Sequence, residues 1–198
     1  MSNRSIHTLL KNWDEECPLT REEAVEVLNL PEEEMDSLME CAYALRTKYK
    51  GKKVSVQLLT NVRSGNCTQN CAYCAQSKDS QAEIEKYKRV SDEKLYGDND
   101  LVDEKHLARH CIGLSGIGFS DEEIEDLADR IREMKKKDTQ ICCSIGFLTE
   151  KQARILKDAG LDRINHNLNS SRSFYPEICT THTYDQRVNN IKMLQSLG

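Results

Sequence analysis

At 198 residues the chain is long enough for one core of ordinary size and lies near the upper end of what is usual for a single domain. Hydrophobic residues make up 38% and charged residues 31%, with only 9 Gly and 3 Pro, which excludes a disordered or fibrous protein and fits a soluble, helix-rich one. The 28 basic and 33 acidic residues are spread along the chain for a net charge of -5, with no nucleic-acid patch, no apolar run long enough for a membrane span and no leader peptide, so a cytoplasmic protein is expected.

Residues 1–50 read as a helical extension. Thr20 and Glu23 have capping-box spacing ahead of Ala24, Val25, Val27 and Leu28. A second helix is predicted from about Glu32, with Met35, Leu38, Ala42 and Leu45 near one face and Gly51 at its end. From Val54 the texture changes to four strand-then-helix units. These are Val54 to Asn61 with a helix from about Ser91, Arg109 to Ser115 with a helix from Ser120, Gln140 to Phe147 with a helix from Thr149, and Arg163 to Asn169 with a helix from Thr183. Ser120 with Glu123, Thr149 with Gln152 and Thr183 with Gln186 repeat the capping-box spacing, and Lys135, Lys136 and Lys137 close a helix as a solvated terminus.

Such alternation implies a parallel sheet with helices outside, either an open doubly wound sheet or part of an eight-unit barrel. The strand faces favour the barrel. Ile112 and Leu114 oppose Arg109, Cys111 and Gly113; Ile141, Cys143, Ile145 and Phe147 oppose Gln140, Cys142, Ser144 and Gly146; Ile164, His166 and Leu168 oppose Arg163, Asn165, Asn167 and Asn169. One face of each strand suits packing against helices and the other is polar. The expected fold is therefore α/β, a partial (β/α)8 barrel of about four βα units over residues 51–198, preceded by the helical extension.

Nine cysteines in a reducing compartment are not expected to form a disulfide framework, which leaves buried thiols or ligands for a soft metal. Cys67, Cys71 and Cys74 lie at spacings of four and three on the loop after the first strand, where parallel α/β folds build their sites. Three such thiolates can hold three irons of a cubane cluster and leave the fourth iron open. A structural zinc would want a fourth nearby ligand, and the next cysteine is Cys111; unligated thiols are the other reading. Cys111 and Cys142 fall on the polar faces of adjacent strands, whereas Cys143 points the other way. Each alone reads as a small buried hydrophobe, a reading that the pair on adjacent strands of one interior weakens. His106, His110, His166 and His182 show no metal spacing and are read as structural or exposed; Cys17, Cys41 and Cys179 read as incidental, although Cys179 is close to a predicted site loop.

The CxxxCxxC loop resembles that of the radical S-adenosylmethionine superfamily. Ser64 to Ser77, Arg109 to Gly113, Cys142 to Gly146, Asn165 to Asn169 and Thr180 to Arg187 are together similar to the biotin synthase family. The resemblance implies a radical sulfurtransferase that inserts sulfur into dethiobiotin to make biotin. It implies a [4Fe-4S] cluster on Cys67, Cys71 and Cys74, S-adenosylmethionine on its open iron, and a sulfur-donating [2Fe-2S] cluster whose ligands include Cys111 and Cys142. By the same resemblance Arg109 lies beside that second cluster, Asn167 meets both nucleoside and substrate, and Asn169, an Asp in many members, meets the ribose. Arg187 faces the methionine carboxylate and the Tyr73 backbone meets adenine. Implied partners are a flavodoxin or ferredoxin and, at full length, a second subunit in a homodimer.

Two residue-level alternatives stand beside this reading, an ordinary ion pair for Arg109 and polar filler for the asparagines. The family barrel has eight units and this chain has four, without the later strands that carry a further cysteine and an arginine ligand of the second cluster. The expectation is a fragment, a split half or an inactive member that assembles at most the first cluster. The alternative functions are another radical enzyme of the biotin synthase-like group and a non-catalytic iron–sulfur binding fragment.

Overall fold

The computed structural model describes residues 19–198, so Cys17 lies outside the described residues. These residues fall into two compact units, one ending at Val54 and the other running from Ser55 to Gly198. In the first, α1 (Arg21–Leu28) starts at Thr20 with both capping-box bonds made. The helix predicted from Glu32 begins as a 3-10 turn, Glu32–Glu34, and continues as α2 (Met35–Lys50), closed by Gly51 at φ 63°. Among the described residues no helix is long and apolar enough to cross a membrane.

The second unit holds a four-stranded parallel sheet in the order β1 (Gln57–Arg63), β2 (Arg109–Leu114), β3 (Ile141–Ser144) and β4 (Arg163–Asn165). Each strand leads to helix: α3 (Asp92–Glu104), α4 (Asp121–Met134), α5 (Glu150–Asp158), then the single turn α6 (Tyr175–Ile178) and α7 (Tyr184–Ser196). The architecture is α/β, as expected. Ser91, Ser120, Thr149 and Thr183 cap their helices through side-chain oxygens, the last three as complete capping boxes, so the orphan amides of each first turn are satisfied locally.

In-register parallel pairing lines up residues of one face across the sheet. Thr60, Ile112 and Cys143 form one row, with Ile164 beside Cys143, and these side chains look toward the helices. There Ile112, Ile141 and Cys143 pack with Leu95, Ile124, Leu127, Ile131 and Leu156 in the main core. Burial pushes the Cys143 thiol up to about 12. His110 is buried on this side as well. Its Nε2 lies 2.7 Å from Thr60 Oγ1, which donates to Asp98 at 2.6 Å, and its Nδ1 lies 3.2 Å from Asn99 Oδ1. It is a structural histidine, held near 4 by burial.

The opposite rows, Leu59–Cys111–Cys142–Arg163 and Asn61–Gly113–Ser144–Asn165, form the inner face. Three predicted strands run on too far, β2 by the single residue Ser115. β3 stops at Ser144 rather than Phe147, and β4 stops at Asn165 rather than Asn169, which takes φ 66°. Beyond those points the chain has left the sheet, so alternation no longer assigns a face. Ile145 stays in the core, but Phe147 turns to ring contacts with His166 and His182 at centroid distances of 5.4 and 5.5 Å. β1 ends two residues later than predicted, with a register shift between Asn61 and Arg63.

Candidate functional site

The cysteine loop leaves β1 through two successive left-handed residues, Gly65 at φ 68° and Asn66 at φ 53°. A side chain at Gly65 would place Cβ 2.6 Å from Lys86 Cγ, so glycine serves both the turn and the close approach. The turn is held from three sides. Gly65 donates its N–H to Gln76 Oε1 at 2.8 Å, Ser115 Oγ donates to the Gly65 carbonyl at 2.6 Å, and Ser64 pairs with Tyr87.

The loop is also tied to the segment before α7. Asn70 Nδ2 donates to Thr180 Oγ1 at 2.7 Å, and Asn70 Oδ1 accepts from the amides of Thr180 and Thr181 and from Thr181 Oγ1. Ala72 N donates to the Ile178 carbonyl at 2.9 Å. On the neighbouring loops, Phe147 N donates to the Ile117 carbonyl at 2.6 Å, an approach that only glycine at the preceding position permits. A Cβ on Gly146 would sit 2.3 Å from that same oxygen.

These loops enclose a cavity at the carboxyl ends of the strands. Its lining includes Cys67, Cys71, Cys74, Tyr73, Asn167, Asn169 and Arg187, seven residues singled out from sequence. Cys67, Cys71 and Cys74 are free thiols. Their three sulfurs do not gather within 4.8 Å of one another, a spread too wide for one tetrahedral ion with metal–sulfur distances of about 2.3 Å. Burial first, and the neighbouring Cys179 second, push Cys71 up to about 11. Asn169 Nδ2 donates to Tyr73 Oη at 2.5 Å, and burial raises the Tyr73 phenol.

His166 and His182 line the same cavity rather than serving only the core or the surface. Burial, reinforced by the Arg187 charge, holds each near 4, so both are neutral at pH 7. Both ring nitrogens of His166 are buried and neither makes a hydrogen bond of ordinary geometry, the Ile145 backbone being the polar group beside the ring. Orphaned polar atoms facing a cavity call for a ligand. Cys179, read from sequence as incidental, is buried beside Cys71, with the sulfurs 3.8 Å apart and its own sulfur 3.2 Å from His182 Nδ1. No local spacing pointed to it, because Cys71 and Cys179 are 108 residues apart.

Cys111 and Cys142 face each other on the inner face with Cα atoms 4.7 Å apart, and they are joined as a disulfide. Directly opposed positions on neighbouring parallel strands bring the two side chains within bridging range, the same proximity that two ligands of one cluster require. Arg109 forms no ion pair among the described residues, and its Nε is buried without a partner, so the simple ion-pair reading of this side chain does not hold.

Residues 61–198 match the family model described as the radical SAM superfamily. Among curated relatives, biotin synthase of Geobacillus kaustophilus (strain HTA426) is 39% identical over 181 residues, 91% of this chain and 54% of that protein. Biotin synthase of Bacillus subtilis (strain 168) is 40% identical over the same shares. The chain thus spans about half the length of the curated relatives it matches. Among solved structures, methylornithine synthase (PylB) has a TM-score of 0.81 at 16% identity, covering 96% of this chain and 55% of that one. The FeFe-hydrogenase maturase HydG from Carboxydothermus hydrogenoformans has a TM-score of 0.75 at 21% identity, covering 91% and 43%. At such identities the likeness is one of fold.

Proposed function

The chain belongs to the radical SAM superfamily, and from that premise we propose that it carries the cluster-binding and nucleoside-binding part of a biotin synthase, whose substrate is dethiobiotin and whose product is biotin. The supporting observation is the cavity in which the three free cysteines and Tyr73 of one loop meet Asn167, Asn169 and Arg187 from two other segments.

The donor set fits the groups the family implies. Three unpaired thiols too widely spread for a single ion suit a [4Fe-4S] cluster held by Cys67, Cys71 and Cys74. The poorly satisfied ring nitrogens of His166 and the amides of Asn167 and Asn169 suit a polar ligand such as S-adenosylmethionine. Together the bound cluster and S-adenosylmethionine supply reductive radical chemistry, with electrons from a flavodoxin or ferredoxin. The protein's own part is positional. Arg187 offers a fixed positive charge to a carboxylate, Asn169 and Tyr73 hold each other at the rim, and the tight packing at Gly146 fixes the loops after β2 and β3 against each other.

Cys111, Cys142 and Arg109 are proposed for the sulfur-donating [2Fe-2S] cluster. The buried, unpartnered Arg109 Nε is a donor suited to a sulfide-rich anion. Ligation would need both cysteines as thiolates, which two-electron reduction of the pair by an external thiol would supply.

Anaerobic reconstitution of the chain, followed by iron and sulfide counts and assays for 5′-deoxyadenosine and biotin, tests the reading. The expected result is a four-iron spectrum that Cys71→Ala abolishes together with reductive cleavage of S-adenosylmethionine. A full cluster retained by Cys71→Ala, or one zinc per chain in place of iron, would defeat it.

A further inference from the structure

Arg187, His182, Cys179 and Cys71 stand in a continuous hydrogen-bonded line that the roles assigned so far do not use. Arg187 Nε lies 3.2 Å from His182 Nε2 and also donates to Tyr175 Oη at 2.6 Å. An arginine only donates, so His182 Nε2 is the acceptor and the imidazole proton sits on Nδ1. That Nδ1–H faces Cys179 Sγ at 3.2 Å and Gln69 Oε1 at 3.0 Å. Cys179 Sγ in turn lies 3.8 Å from Cys71 Sγ.

This bookkeeping decides between two uses of the cluster of groups. Cys71, Cys179 and His182 bring their ligand atoms within 4.8 Å of one another, close enough for a single ion. A metal on Nδ1 would require the proton on Nε2, pointing it at an arginine N–H, with a guanidinium positive charge beside the ion. The surroundings of the imidazole are therefore wrong for a metal, since a ligating histidine needs an acceptor on its other nitrogen. They are right for a donor chain that ends at Cys71.

Resting on the reading that Cys71 ligates the [4Fe-4S] cluster, we propose that Cys179 is a positioning residue whose S–H donates to the ligating sulfur of Cys71 and makes the cluster easier to reduce. In the cluster-free chain the proton between the two sulfurs sits on Cys71, directed at Cys179. A cysteine bound to iron has no proton and can only accept, so the direction of the bond reverses. The His182 Nδ1–H, oriented by Arg187, then supports Cys179 from the opposite side. Hydrogen bonds to ligating sulfurs draw off charge and favour the reduced, more negative cluster. The line also joins the cluster ligand to Arg187, the side chain proposed to meet the carboxylate of S-adenosylmethionine.

The test is a redox titration followed by electron paramagnetic resonance on the anaerobically reconstituted 198-residue chain, compared with Cys179→Ala and Cys179→Ser at matched iron content. The alanine variant should be harder to reduce, its reduced-to-oxidised ratio at fixed potential falling about tenfold, which is about 59 mV for one electron. Serine keeps an O–H donor and should recover most of the difference, which a merely structural role would not produce. A fully loaded Cys179→Ala cluster with an unchanged potential, or a serine variant no better than alanine, overturns the proposal and leaves the parent reading intact. Failure of the unsubstituted chain to form a four-iron cluster overturns both.

Discussion

Substituting Gly146 with alanine tests whether the loops at the carboxyl ends of β2 and β3 are packed as described. The added Cβ would lie 2.3 Å from the Ile117 carbonyl oxygen and 2.5 Å from its carbon. Both are backbone atoms, so no side chain can swing aside to relieve the contact. Forcing an extra carbon into a filled space costs about 1–3 kcal/mol. Pushing the loops apart also stretches the 2.6 Å bond from Phe147 N to the same carbonyl, worth about 1 kcal/mol. The sum, roughly 2–4 kcal/mol, corresponds to a fall in Tm of roughly 4–16 °C for a chain of this size. Thermal and urea unfolding of the cluster-free chain measure it, with Gly118→Ala as control because nothing lies within 4 Å of a Cβ there. Ile117, Gly146 and Arg187 share one cavity, so the variant should also bind S-adenosylmethionine more weakly. An unfolding midpoint for Gly146→Ala equal to that of the control would refute the reasoning.

Gly97→Ala should stabilise the chain by about 0.5–1 kcal/mol in urea unfolding, since the position is exposed within α3 and open space surrounds it. Asn70→Ala removes the side-chain bonds to Thr180 and Thr181, so the cysteine loop should lose iron to a chelator several-fold faster while the main core unfolds at a similar urea concentration. The pH dependence follows from His110, His166 and His182, which burial holds near 4 against an ordinary value of 6.5. The unfolded chain therefore binds more protons between those limits, and stability present above 6.5 is lost as the pH falls toward 4. Asp98, held low by hydrogen bonds from Lys94 and Thr60 that outweigh its burial, acts in the same direction at still lower pH. A urea midpoint for the cluster-free chain that stays constant from pH 7 to pH 4.5 would contradict the neutral burial of these histidines.

What sequence made legible was local. A capping box is decided by two side chains three residues apart, and all four predicted from Thr20, Ser120, Thr149 and Thr183 are present. The inner-face assignment of Cys111, Cys142 and Ser144 also held, because alternation is a property of any paired strand. It failed past the last inter-strand bond. Phe147 and His166 were given faces by counting, although the chain there had already turned into the site. Cys179 was illegible for a different reason: its meaning lies in Cys71, His182 and Arg187, and only the fold brings Cys71 to it. The approach of Cys111 to Cys142 was half legible: strand faces put both on one interior, and only the register that pairs them directly was hidden.

The clasp between Asn70 and Thr180 joins residues 110 positions apart. During synthesis the cysteine loop therefore leaves the ribosome well before the segment that fastens it. At about 5–20 residues per second, the interval is roughly 5–20 s. Through that time the CxxxCxxC loop is a tether with a free end, and closing so long a circuit is an entropic task that local helix formation does not share. The settled geometry of the three thiols is thus a late product of folding. Cells that load the loop must either wait for residues 178–182 or hold the thiols open until they arrive.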